Sequence, residues 1–140
     1  KNEQSPVEDY EHSQADVELL MNSLAYSDVI INTISTLSVD AAAMQKPVIN
    51  VRYDGDPNVP PKYGVKIFYK GHDHYEMIEN SGGVRLAWTP EELVNQIIMY
   101  LQDPSIDKPG RERIVREQLE FTDGLSGKRV ADYIKNYLHR

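Results

Sequence analysis

Ser35 and Thr36 stand side by side, five and four residues before Asp40, where a short apolar run gives way to an Ala-rich segment. A helix that starts there presents unpaired N–H groups and partial positive charge, which suits a phosphate or diphosphate, and the two hydroxyls add donors. The plainer role for either hydroxyl is an N-cap, worth about 1 kcal/mol to the helix. Asp40 falls about one turn inside that helix, where a carboxylate either accepts hydroxyls of a ligand or is simply favoured by the helix dipole. The neighbouring Ala41-Ala42-Ala43 predicts close helix–sheet packing, and with it an Asp40 that is not wholly exposed.

Three further groups invite a chemical reading. Asp54-Gly55-Asp56 follows a hydrophobic strand and offers two carboxylates for a divalent ion, although Asp-Gly is equally a turn sequence. His72-Asp73-His74 supplies two imidazoles, but they share a face only on a strand, and no third ligand with good spacing accompanies them. Arg52, Lys62 and Lys70 are cations suited to offsetting diphosphate charge, or are merely solvated loop residues. The chain lacks a P-loop, a complete Gly-x-Gly-x-x-Gly and a Gly-x-Ser-x-Gly elbow, so the NTPase, ordinary dinucleotide and serine-hydrolase motifs are absent.

The elements that must position these residues can be read from periodicity. Val29 to Asn32 and Val48 to Val51 are short apolar runs of the kind buried on both faces of a parallel sheet. Between them Leu37 to Gln45 forms a helix, closed by Lys46-Pro47 because proline disfavours helix in the residue before it. The unit is strand–helix–strand, and ligands of open α/β sheets bind at the carboxyl ends of the strands. Upstream, Val17, Leu20, Met21 and Leu24 make one helical stripe starting from Ser13. Downstream, Arg52 to Pro61 is a loop, 65–69 a short strand, 72–80 a short helix stopped by Ser81-Gly82-Gly83, and 84–87 a strand. Thr89-Pro90-Glu91-Glu92 is an N-cap, first helical proline and capping-box partner, opening a helix with Leu93, Val94, Ile97, Ile98 and Leu101 on its buried face. Helices follow over 111–119 and from Ser126, the last carrying Val130, Tyr133, Ile134, Tyr137 and Leu138.

Bulk properties narrow the classes. The 140 residues, 40% hydrophobic, are enough for one domain with a core. A net charge of −7 argues against a nucleic-acid surface, and the absence of cysteine excludes disulfides, thiolate zinc sites and cysteine nucleophiles. No apolar run approaches the roughly 20 residues of a membrane-spanning helix and no signal peptide opens the chain, so a cytoplasmic protein is the expectation. Residues 1–13 read as a mobile polar lead-in and 14–140 as the domain, α/β in class.

The run Ser27-Asp28, Ser35-Thr36, Asp40 and Lys46-Pro47-Val48-Ile49 resembles the nucleotide-sugar side of glycosyltransferases built from two facing Rossmann-like domains, the GT-B fold. The closing segment, Phe121-Thr122-Asp123-Gly124 with Lys128-Arg129-Val130-Ala131, resembles the end of those enzymes, and the likeness covers roughly Leu20 to Leu138. Asp40 stands where many members carry Glu, and Ser/Thr followed by Asp at this spacing is similar to the CDP-glycerol glycerophosphotransferase branch. The resemblance implies a three-layer α/β/α Rossmann-like domain with a mostly parallel sheet, one half of a GT-B fold. It implies a UDP- or CDP-type nucleotide-diphosphate sugar as donor, with no metal and no further cofactor. Ser35 and Thr36 would meet the diphosphate, Asp40 the ribose, and His74, of the pair His74-Tyr75, would face the donor.

The chain opens on Lys1 and has no room for the acceptor domain, so it reads as a fragment whose catalytic base lies on a missing amino-terminal domain. The resemblance further implies a role of the full-length enzyme in cell-envelope polysaccharide synthesis, with room for peripheral membrane association. Three alternatives stand beside this reading. One is glycerol-phosphate transfer from CDP-glycerol, and another is a non-catalytic nucleotide- or metabolite-binding module. The third is a metal enzyme resembling the single-domain GT-A class, built on Asp54 and Asp56.

Overall fold

The computed structural model describes residues 13–33, 35–69 and 73–139, without the side chains of Lys66, Phe68, Asp73 and His74. The polar lead-in at 1–12 therefore lies outside the described residues, as do Lys70 and His72.

Among the described residues three strands form the sheet: β1 (Ile30–Asn32), β2 (Val48–Val51) and β3 (Val84–Ala87). They are parallel and lie in chain order β1-β2-β3, with Ile30 beside Val48 beside Val84 and Asn32 beside Asn50 beside Leu86. Both connections are crossovers carrying helices, as parallel pairing requires. The fold is α/β with a three-stranded parallel sheet.

Strand alternation divides the apolar residues between two faces. Ile30, Val48 and Val84 pack with Leu24, Ala41, Ala42, Tyr75, Ile78 and Ile114, which come from helices α1 (Gln14–Tyr26), α2 (Leu37–Ala43), α4 (Asp73–Glu79) and α6 (Lys108–Gln118). Ile49 and Ala87 point the other way, onto Tyr100, Leu93 and Ile97 of helix α5 (Pro90–Gln102). Ala41 and Ala42 are fully buried, so the small side chains of α2 do bring that helix close to the sheet.

Local sequence explains most element boundaries. Ser13 caps α1 in a reciprocal box with Asp16, and the stripe behind it ends in the fully buried Leu24. Val17 and Leu20 stay about half exposed, so only the C-terminal half of that stripe is covered. Thr89 caps α5 by accepting the Glu92 N–H, while the Glu92 carboxylate takes the Trp88 N–H rather than that of Thr89.

Several expectations are corrected. β1 is not buried on both faces, because Ile31 is 45% exposed on the side that α5 leaves uncovered. The segment expected as a strand at 65–69 is instead helix α3 (Val65–Phe68). Asp54 Oδ1 accepts the Val65 N–H at 2.6 Å and the Gly64 carbonyl accepts from Ile67, which starts a helical turn there. Helix α6 begins at Lys108, earlier than expected, with Pro109 in its first turn and Asp107 at its N-cap in the left-handed region, φ 62°. Helix α7 (Ser126–Leu138) forms as expected, but Leu125 and not Ser126 stands at its N-cap. Its apolar positions Val130, Tyr133, Ile134, Tyr137 and Leu138 are all exposed among the described residues. No helix among those residues is long and apolar enough to cross a membrane.

Candidate functional site

The carboxyl edge of the sheet carries two polar groupings. The first is built at the ends of β1 and β2. Asn32 and Asn50 are register partners, and the buried hydroxyl of Ser38, in the first turn of α2, lies above both. Asn32 Nδ2 donates to Ser38 Oγ at 3.3 Å, and Ser38 Oγ donates to Asn50 Oδ1 at 3.3 Å. Asn50 is fully buried, and its Nδ2 and the Asn32 Oδ1 have no hydrogen-bond partner among the described residues. Ser38 thereby ties the start of α2 to the strand ends, which fixes the residues on either side of it.

Those residues are Ser35, Thr36 and Asp40. Ser35 Oγ accepts the Leu37 N–H at 3.1 Å, so this hydroxyl performs the capping. Thr36 occupies the N-cap position in helical conformation but makes no side-chain cap bond. Its side chain is exposed, as is that of Asp40, while the neighbouring Ala41 and Ala42 are fully buried. Neither Thr36 nor Asp40 has a side-chain partner among the described residues. Four residues apart on one helix turn, they share a face with their Cβ atoms about 5–6 Å apart.

The second grouping continues the same strand face one pair further on. Arg52 follows β2 and Trp88 follows β3, and the Arg52 N–H donates to the Ala87 carbonyl at 2.7 Å. The Arg52 guanidinium lies 3.1 Å from the ring centre of Tyr69 and 5.6 Å from that of Trp88, and pairs with Glu79 of α4. Both side chains of this ion pair are only 13% exposed, and Arg52 Nε has no partner among the described residues. Tyr69 is pinned by its hydroxyl, which donates to the Val51 carbonyl at 3.1 Å. Burial pushes the Tyr69 phenol up to about 12, outweighing the nearby Arg52 charge. Trp88 remains 53% exposed.

The other candidates separate from this edge or are already engaged. Asp54 caps α3, and Asp56 Oδ1 accepts the Asn58 N–H at 2.8 Å, so both carboxylates serve their loop. Lys62 lies over the Tyr63 ring at 4.7 Å. Among the described residues no three His, Asp or Glu side chains are grouped to hold a metal ion. His74 belongs to the first turn of α4, and its side chain is outside the described set. At the opposite, amino-terminal edge a cleft of about 270 Å³ is lined by Asp28, Gln45, Lys46, Pro47, Tyr100 and Leu101, none of them read from sequence as a site residue.

Sequence reasoning missed Asn32, Ser38, Asn50, Tyr69 and Trp88. The available signal was parity: Asn50 and Arg52 continue the alternation of Val48, and Trp88 that of Val84. Comparison of the chain with protein-family models, curated proteins and solved structures gives no match.

Proposed function

We propose that this chain is the donor-binding, Rossmann-like half of a GT-B glycosyltransferase, completing a three-layer α/β/α domain and working with an acceptor domain that supplies the catalytic base. The observation that carries the reading is the pair Thr36 and Asp40: a hydroxyl and a carboxylate, both exposed and without partners among the described residues, on one face of α2. They stand where a parallel sheet delivers a helix start after a strand, the place at which such sheets receive ligands. In this reading the Thr36 hydroxyl and the α2 N–H groups receive the donor diphosphate, and Asp40 accepts the ribose hydroxyls. Charge building up on the departing nucleoside diphosphate is met by donors already in place. Asp54 and Asp56 are occupied by their own loop, which favours this site over one built on an Asp-x-Asp metal centre.

Calorimetric titration with UDP, CDP, GDP and ADP, with and without Mn²⁺, tests the proposal. The expected result is metal-independent binding of a pyrimidine nucleoside diphosphate that Asp40→Ala weakens about tenfold or more, the loss of a charged hydrogen bond. Binding that requires Mn²⁺ and survives Asp40→Ala would transfer the site to Asp54 and Asp56.

A further inference from the structure

The cleft at the amino-terminal edge of the sheet lies between the last turn of α2 and the last turn of α5. Its volume of about 270 Å³ falls just under the range of about 300–1,000 Å³ usual for small-molecule sites, which is room for one small metabolite. Met44, Leu101 and Pro104 give it an apolar wall, and Met44 and Leu101 are 37% and 57% exposed.

Two opposite charges face this cleft. Asp28 and Lys46 each stand two residues ahead of the register pair Ile30 and Val48, on neighbouring strands about 4.8 Å apart. They form no ion pair with each other, and neither side chain has a partner among the described residues. A plain anion in the cleft meets the Asp28 carboxylate, and a plain cation meets the Lys46 ammonium. A molecule that carries both charges satisfies both residues.

The turn that delivers Lys46 has an uncommon residue at its bend. The Lys46 N–H donates to the Ala41 carbonyl and the Gln45 N–H to the Ala42 carbonyl, each at 2.9 Å, which is the Schellman pattern for ending a helix. Gln45 is the left-handed residue of that pattern, φ 57°, where glycine is usual and a side chain costs backbone energy. Its Nε2 donates to the Ala42 carbonyl at 3.1 Å, so the carboxamide lies over the turn and forms part of the cleft wall.

We propose that this cleft binds a free α-amino acid with an apolar side chain of leucine to phenylalanine size. Its ammonium lies toward Asp28, its carboxylate toward Lys46, and its side chain against Met44, Leu101 and Pro104. An α-amino acid carries its two charges on one carbon, which matches two protein charges presented from adjacent strands. Gln45 is a positioning residue, fixing the turn that presents Lys46. The cleft is at the edge opposite to Thr36 and Asp40, so the inference stands apart from the donor-binding reading.

Calorimetric titration of the whole chain with L-leucine, L-methionine and L-phenylalanine tests it, with amide chemical-shift mapping to locate the contact. The controls are the amine without the carboxylate and the acid without the amine; for leucine these are isoamylamine and 4-methylpentanoate. At least one amino acid should bind and shift the amides of Asp28, Lys46 and Leu101, while its two controls bind about tenfold more weakly or worse. Asp28→Asn and Lys46→Gln should each weaken the amino acid about tenfold and leave thermal unfolding in place. Gln45→Gly should unfold at higher temperature yet bind more weakly, whereas unchanged affinity would remove Gln45 from the site. Absence of heat and of shifts with all three amino acids would overturn the proposal, as would binding that both charge variants leave intact. Equal affinity for the amine alone would make this a plain cation site and overturn the amino-acid assignment.

Discussion

Gly83 and Gly110 meet backbone to backbone. A Cβ on Gly110 would lie 2.1 Å from the Gly82 carbonyl carbon, and one on Gly83 would lie 2.5 Å from the Arg111 nitrogen. The first turn of α6 is thus pressed onto the turn that leads into β3, with no side chain between them. Because both surfaces are main chain, neither can yield by changing rotamer. Gly110→Ala should therefore destabilise the chain by about 3 kcal/mol or more, at the upper end for overpacking. Gly127→Ala, in open space on α7, should instead stabilise by about 0.5–1 kcal/mol. Urea midpoints of the two variants provide the comparison.

Arg111, the residue after that contact, is 1% exposed. Its guanidinium donates to the carbonyls of Ile106 and Pro104, each at 2.7 Å, and burial lowers its pKa from the ordinary value. These bonds hold the α5–α6 connection, in which Asp107 takes Arg85 and the Tyr100 hydroxyl. Lysine keeps the charge but not the fork, so Arg111→Lys should cost about 2 kcal/mol in denaturant unfolding.

Ser35, Thr36 and Asp40 should separate stability from binding. Ser35→Ala removes the acceptor of the Leu37 N–H and should cost about 1 kcal/mol. Thr36→Val and Asp40→Asn touch side chains with no partner among the described residues, so thermal unfolding should move little while nucleoside diphosphate affinity drops. Equal losses of stability in all three would make this a capping sequence and nothing more.

Alkaline pH should weaken the fold through its buried phenols. Burial pushes Tyr69 from 10.0 up to about 12. Tyr100 is raised as well, by burial first and then by its bond to the Asp107 carboxylate. A raised pKa means that the folded chain holds its proton longer, so the contribution is complete below 10.0 and is lost as pH climbs toward about 12. Tyrosinate absorbance should show these phenols titrating late in the folded chain. The urea midpoint should fall over the same interval, and less steeply in Tyr69→Phe.

How far sequence reached depends on the kind of signal. β2, β3 and α5 were legible because apolar runs and the Thr89-Pro90 cap are local properties. Residues 65–69 were misread because what makes them helical is distant: the Asp54 carboxylate, eleven residues upstream, takes the Val65 N–H. Thr36 and Asp40 could be placed on one turn from spacing alone, but not their exposure, which depends on how α2 is seated. The Asn32–Ser38–Asn50 chain and the Arg52–Tyr69–Trp88 stack join segments far apart in sequence. Pattern within one segment does not reveal such groupings.

Ile31 gives β1 a further meaning. Among the described residues this strand pairs with β2 alone, and it carries a half-exposed isoleucine in its centre. Its outer side presents main-chain donors and acceptors in an extended row, which is a template for another strand. A strand added there with its own covering helix would seal Ile31 and turn β1 into an interior strand. The consecutive order β1-β2-β3 would then become one wing of a wider sheet, with the reversal of strand order beside Thr36 and Asp40.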